Sequence, residues 1–175
     1  MKSAVEQLAT YKSVHLNASN IKSHFVGIPL IIWSLFVVLN LIPFNLTVDL
    51  AGFAVSMDLA NIFTLVVLIY YFKLHFRLAL GLLLFILPVN YTAQLAAQTD
   101  MALWIATGVF VIGWIFQLIG HQYERAKPAF VDDINQLLIG PFFLMAEIYF
   151  ALGWESELNQ TITPLAREKR AILDS

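Results

Sequence analysis

The sequence predicts an all-α membrane bundle of about four spanning helices plus one helix that enters the bilayer without crossing it. Three observations carry that prediction. Hydrophobic residues make up 59% of the 175 and charged residues 13%, whereas ordinary globular chains run near ~45–50% and ~25%. A soluble core of this size cannot absorb that surplus, so lipid must. The apolar residues fall into blocks long enough for a hydrocarbon core of ~30 Å, and polar segments separate the blocks. Lysine and arginine occupy alternate separators only, as they do when they mark the cytoplasmic side. The chain reads as one integral membrane domain over residues 1–175. It has a polar helix-turn at 1–24, membrane helices at 25–153 and a polar tail at 154–175.

Residues 3–14 read as a short amphipathic helix with Val5, Leu8, Ala9 and Tyr11 on its apolar side. His15–Asn20 is turn chemistry, since Asn and Ser side chains compete with helical backbone bonds, and Ser19 or Asn20 is the expected N-cap of the next helix. The first span covers about residues 21–42 and stops at Pro43. Residues 43–61 mix polar and apolar types and read as an interfacial loop or short surface helix. A second span follows over 62–74, then a basic turn with Lys73, His75 and Arg77. The third span runs from Leu78 to about Leu95, kinked or broken at Pro88. The fourth covers Ala102–Ile119. Residues 137–153 are apolar but contain Pro141 and Glu147. If they crossed, Arg167, Lys169 and Arg170 would break the charge alternation, so they read as a re-entrant or interfacial element. An amphipathic segment closes the tail around Leu165–Leu173. The N-terminus, with Lys2, Lys12 and Lys22, is expected inside. Residues 1–24 carry no apolar core and no small-residue cleavage pattern, so no cleavable signal peptide is expected.

A net charge of −2 gives no electrostatic footprint for nucleic acid. The absence of cysteine removes disulfides, thiolate metal sites and a thiol nucleophile together. No glycine-rich phosphate loop, nucleophile elbow or HExxH is present.

Chemistry concentrates at Gly113–Ala129, which turns polar beside Gly120. His121 and Glu124 lie three apart and share a helix face, and Gln117, four residues earlier, joins them. The topology also puts all four histidines on the cytoplasmic side. His15 and His24 precede span one, His75 lies between spans two and three, and His121 follows span four. Neutral imidazole suits iron, zinc, copper and nickel. On one continuous helix His15 and His24 would face opposite ways, but the Asn17–Asn20 turn removes that constraint. Asn20 is placed to bond an imidazole or to cap the helix. With His121 and Glu124 the set becomes either three histidines or two histidines and a carboxylate, the arrangement of non-haem ferrous oxygenases.

Blander readings stand beside these. His75, flanked by Lys73 and Arg77, fits a solvated basic turn. Arg125 and Lys127 are explained by topology, and Glu124 alone would be a surface partner of Lys127. Glu147, ionisable inside an apolar run, is either functional or paired with a neighbour. Trp33, Phe36, Trp104, Phe110 and Trp114 read as lipid contacts and interface belts. Gly27, Gly113 and Gly120 fit close helix packing.

Two segments carry a resemblance. Tyr11-x3-His15-x4-Asn20-x3-His24-x2-Gly27-x-Pro29 and Gly113-Trp-Ile-Phe-Gln117-x2-Gly120-His121-x2-Glu124-x3-Pro128-Ala129 together resemble the 2-hydroxy fatty acid dioxygenase family. Its fungal members work in the endoplasmic reticulum on the breakdown of phytosphingosine. The similarity continues through Asp133, Asn135, Pro141, Phe142 and Glu147 to Leu152-Gly153, while residues 40–105 match only as generic membrane helix.

The resemblance implies an iron(II)-dependent α-oxidation that shortens a 2-hydroxy fatty acid by one carbon with dioxygen. It implies His15, His24 and His121 as iron ligands, with Asn20, Gln117, Glu124 and Glu147 as polar positions near them. At Leu16 the fungal sequence has a second histidine, and a ligand set that used it would here draw on Glu124, Glu147 or water. A 2-hydroxy carboxylate can chelate iron through its hydroxyl and one carboxylate oxygen. Its acyl chain would lie among the apolar helices, and Arg125 or Lys127 would attract the head group. The expected location is an inner membrane in a bacterium or the endoplasmic reticulum in a eukaryote. Two other classes fit the same residues: a non-catalytic membrane carrier or assembly protein, and a zinc-dependent lipid hydrolase that needs no oxygen.

Overall fold

The computed structural model describes residues 2–131 and 133–174. Helix α1 spans Ala4–Ser13, and its start is set by Ser3, whose hydroxyl accepts from the Glu6 amide at 3.2 Å. Glu6 in the first turn and Lys12 in the last complement the helix dipole. Helix α2, Ala18–Leu41, is capped by Asn17, whose side chain accepts from the Ser19 amide. The cap therefore lies two or three residues before the expected Ser19 or Asn20, and this leaves the Asn20 side chain available to the site.

Residues 45–58 differ from expectation. They form an antiparallel hairpin of β1, Asn45–Leu50, and β2, Phe53–Asp58. The turn residues Ala51 and Gly52 both have positive φ, 54° and 88°, as a tight hairpin turn requires. The signal is a period of two: Leu46 and Val48 alternate with Thr47 and Asp49, and Phe53, Val55 and Met57 with Ala54, Ser56 and Asp58.

Helix α3, Leu59–Leu74, is capped by Asp58 and has 16 residues. His75 ends it and caps α4, Phe76–Ala97. Pro88 sits inside an unbroken α4, where Thr92 Oγ1 donates to the Pro88 carbonyl at 2.9 Å. Helix α5, Ala102–Glu124, extends past the expected Ile119 to include His121 and Glu124, and Arg125 ends it in a left-handed conformation. Helix α6 is Gln136–Ala151 and α7 is Ser156–Leu173.

Among the described residues three helices, α2, α4 and α5, are long and apolar enough to cross a membrane, which makes the chain an all-α membrane bundle. Of the four spans read from the sequence, α3 falls short of the other three in length. Leucine, isoleucine and tryptophan side chains along α4 and α5 remain exposed, as lipid-facing surface does. Helix α6 begins beside α1, where Gln136 Nε2 donates to Gln7 Oε1. It also ends beside the α3–α4 turn, where Tyr149 donates to the Arg77 carbonyl. Both of its ends therefore lie at one end of the bundle. Ile162 of α7 joins the apolar core at this same end, and Ala166, one turn on, is also buried.

Helices α2 and α5 make the closest approach. A Cβ on Gly113 would lie 3.0 Å from the Gly27 carbonyl oxygen, and one on Gly120 would collide with Ser23 Oγ and Asn20 Oδ1. The missing side chains let α2 and α5 bring their polar ends together.

Candidate metal centre

His15 lies in the α1–α2 junction, His24 on the second turn of α2 and His121 on the last turn of α5. All three are buried. The α1–α2 turn folds His15 back against the helix start that carries His24. The ring of His15 stacks on Tyr11 with centroids 4.1 Å apart and planes 2° from parallel. Ring centroids of His121 lie 4.9 Å from His15 and 5.0 Å from His24.

Backbone carbonyls fix the protonation pattern. His15 Nδ1 donates to the Tyr11 carbonyl at 2.6 Å, and His24 Nδ1 donates to the Asn20 carbonyl at 2.9 Å. A carbonyl oxygen only accepts, so the proton of each neutral ring sits on Nδ1 and each Nε2 presents a lone pair. Those two Nε2 atoms face each other at 3.0 Å. Burial, followed by the neighbouring His24 and His121, holds the pKa of His15 well below its usual value, so it is neutral, the form that binds metals.

This arrangement fits a shared cation. Two ligands each ~2.1 Å from one ion and at right angles to one another would be ~3.0 Å apart. His121 Nδ1 is buried without a hydrogen-bond partner, and one ligand atom from each of the three histidines lies within 4.8 Å of the others. Buried nitrogens left in this state need a proton or an ion to satisfy them.

Glu124 supports the triad from behind. Its Oε1 accepts from the Leu16 amide at 3.0 Å and from Arg170 Nη1 at 3.0 Å. Its Oε2 accepts from the Asn17 amide at 2.8 Å and Asn20 Nδ2 at 3.1 Å. Four donors thus occupy the two oxygens, tying the residues after His15 to the end of α5. Leu16 is exposed and contributes its backbone N–H. Asn20, fully buried, also donates to the Val14 carbonyl at 3.2 Å.

Of the remaining sequence-derived candidates, all but Gln117 lie apart from the histidines. Glu147 pairs with Lys12 Nζ at 2.5 Å between α1 and α6, and that ammonium lies over the rings of Phe143 and Phe150. Arg125 and Lys127 are exposed past the end of α5 and line no part of the cavity at the histidines. His75 caps α4 and faces Glu155 at 3.5 Å. Gln117 is 7% exposed, one turn before His121, and its Nε2 has no partner.

The triad opens onto a cavity of about 660 Å³, within the range of small-molecule sites. From His24 to Phe36 the cavity follows twelve residues of α2, ~18 Å at the rise of an α-helix. Its walls are mostly aliphatic and aromatic. Phe36, Phe110 and Trp114, which the sequence suggested as lipid contacts, line it from inside. Sequence reasoning missed Tyr11 as a packing partner of His15, although Tyr11 opens the motif, and it took Arg170 only as a tail charge, not as a partner of Glu124.

The family model described as Mpo1-like, 2-hydroxy-palmitic acid dioxygenase Mpo1-like, matches residues 1–152. The 2-hydroxy-palmitic acid dioxygenase MPO1 of Saccharomyces cerevisiae is 31% identical over 160 residues, covering 89% of this chain and 85% of the yeast protein. No solved structure matches. The chain belongs to the Mpo1-like family.

Proposed function

We propose that this family member is an iron(II)-dependent dioxygenase that converts a 2-hydroxy fatty acid into the fatty acid one carbon shorter. The observation that carries the reading is a cluster of three buried histidines at the head of a long apolar cavity. The yeast relative's name supplies the substrate class. The balanced overall reaction takes one hydroxy acid and one dioxygen to the shorter acid, carbon dioxide and water, breaking the C1–C2 bond. Iron(II), when bound, supplies the site where the hydroxy acid is chelated and dioxygen is activated.

The chain's own residues hold and orient. His15, His24 and His121 present nitrogens to one ion. The Tyr11 and Asn20 carbonyls keep the protons of His15 and His24 on the far side of the rings. Glu124, with Asn20 and Arg170, fixes the loop that follows His15. The cavity takes the acyl chain and excludes water from the reacting carbon, so that binding also aligns the reactants. Arg125 and Lys127 attract the anion from outside the cavity. The Glu147–Lys12 pair anchors α1 on α6, one layer behind the ring of His15. The site faces the cytoplasm, on the side where the lysine-bearing and arginine-bearing segments gather.

The test is a product assay on purified protein with ferrous iron and 2-hydroxyhexadecanoate, in air and under nitrogen. Pentadecanoate formed only in air supports the proposal. Product formed equally under nitrogen would point to a hydrolase. No product, with no bound metal, would point to a carrier or assembly protein.

A further inference from the structure

The cavity poses a charge problem. A carboxylate must enter it, yet among the described residues no lysine or arginine lines it. Nearby cations are already engaged, Lys12 with Glu147 and Arg170 with Glu124 and Asp174. Most polar lining groups are committed too. Tyr71 donates to the Leu138 carbonyl at 2.5 Å, Asn135 Nδ2 to Tyr70 at 3.1 Å and Gln136 Nε2 to Gln7 at 2.9 Å. The Nδ1 protons of His15 and His24 go to backbone carbonyls. Gln117 differs. It lines the cavity, it is more than nine-tenths buried, and its Nε2 has no partner.

A buried amide nitrogen without a partner is disfavoured by the full desolvation of its two N–H groups. Gln117 sits four residues before His121 on one helix face, ~6 Å along the axis, so a head group beside the triad lies within its reach. The amide packs against α2 at Gly27, where a Cβ would strike Nε2, so that glycine leaves the room the amide occupies at the cavity wall.

We infer that the Gln117 amide is the hydrogen-bond donor that receives the carboxylate of the substrate, and that it distinguishes free acids from neutral lipids. The inference rests on the fatty acid function proposed above. A neutral donor suits this place. It satisfies a carboxylate oxygen that the cation leaves over, and it adds no charge to an apolar cavity when substrate is absent.

The experiment measures binding by Trp114 fluorescence, on iron-loaded protein under nitrogen so that no turnover occurs. The probes are 2-hydroxyhexadecanoate and its methyl ester. The variants are Q117M, which keeps the volume and removes the donor, and Q117E, which presents an acceptor. Both are expected to weaken acid binding by about ten- to hundredfold, the value of one hydrogen bond to a charged group. Binding of the ester and bound iron are expected to stay at wild-type levels, which also shows that the variants are folded. Equal losses for acid and ester, no loss for either, or loss of iron in Q117M would each overturn the assignment. Wild-type protein that binds the acid but leaves it unoxidised in air would contradict the proposed function, while the acid–ester comparison would still decide the role of Gln117.

Discussion

The two ends of the bundle are held together differently. At the histidine end, residues more than a hundred positions apart meet through polar atoms. Glu124 reaches the amides of Leu16 and Asn17, Lys12 reaches Glu147 and Gln136 reaches Gln7. At the hairpin end the core is Phe36 and Val37 packed among Ala60, Ala93, Ala102 and Ala106. Its side-chain bonds, such as Asn90 to Asn61 and Trp33 to Thr92, join neighbouring helices. Apolar packing sets distances loosely and directions hardly at all. A metal site needs lone pairs aimed at one point, and only fixed hydrogen bonds supply direction. The fold places its directional contacts where it needs aim and uses small residues where it needs only close approach.

Substitutions at the histidine end should therefore be far more damaging than those at the other. The largest effect is expected from His15→Ala, His24→Ala and His121→Ala. Each should remove bound metal and lower turnover by more than about a hundredfold, since even partners behind a ligand are worth ~10–100-fold. Metal analysis and product assay on the membrane-inserted variants check this. Glu124→Ala comes next. It leaves the Leu16 and Asn17 amides and Arg170 without their acceptor, and loss of one partner of a buried pair is expected to destabilise by about 3–5 kcal/mol. Thermal unfolding in detergent would show it, together with weaker metal retention. Arg170→Gln keeps three of the four donors on Glu124 and should lower stability by ~1–3 kcal/mol. Retention of iron against a chelator gives the matching functional readout.

The hairpin end should respond more weakly and in a different way. Phe36 closes the far end of the cavity, so Phe36→Ala should shift the preferred substrate to longer chains. The penalty on a chain one methylene too long, about tenfold or more in a fitted apolar pocket, should be relieved. Product profiles from mixed-length hydroxy acids would measure that. Phe53→Ser, on an exposed hairpin strand, should leave both turnover and stability unchanged within about 0.5 kcal/mol. A large effect there would break the contrast between the ends.

Much of this was legible in the sequence. The apolar blocks gave the helices, the charge alternation put the histidines at one end, and Gly27, Gly113 and Gly120 stood where α2 and α5 touch. Residues 45–58 were harder to read, because scattered polar residues obscured a period of two that only the hairpin pairing makes plain. Asn17, Ser19 and Asn20 are equally good caps by type, and the carboxylate of Glu124 helps select Asn17 by holding its amide and the Asn20 side chain. Arg170 read as one of three tail charges, because its partner lies 46 positions away and no local spacing announces it. The same holds for Lys12 and Glu147, whose pairing depends on how α6 lies across α1.

The central claim is that His15, His24 and His121 hold one iron ion at the head of the acyl cavity. X-ray absorption at the iron edge of ferrous-loaded protein tests it most directly. Stoichiometric iron with scattering from three imidazoles is expected, falling to two in any single histidine variant that still retains metal. Iron bound without imidazole scattering, or a spectrum unchanged in all three histidine variants, would contradict it.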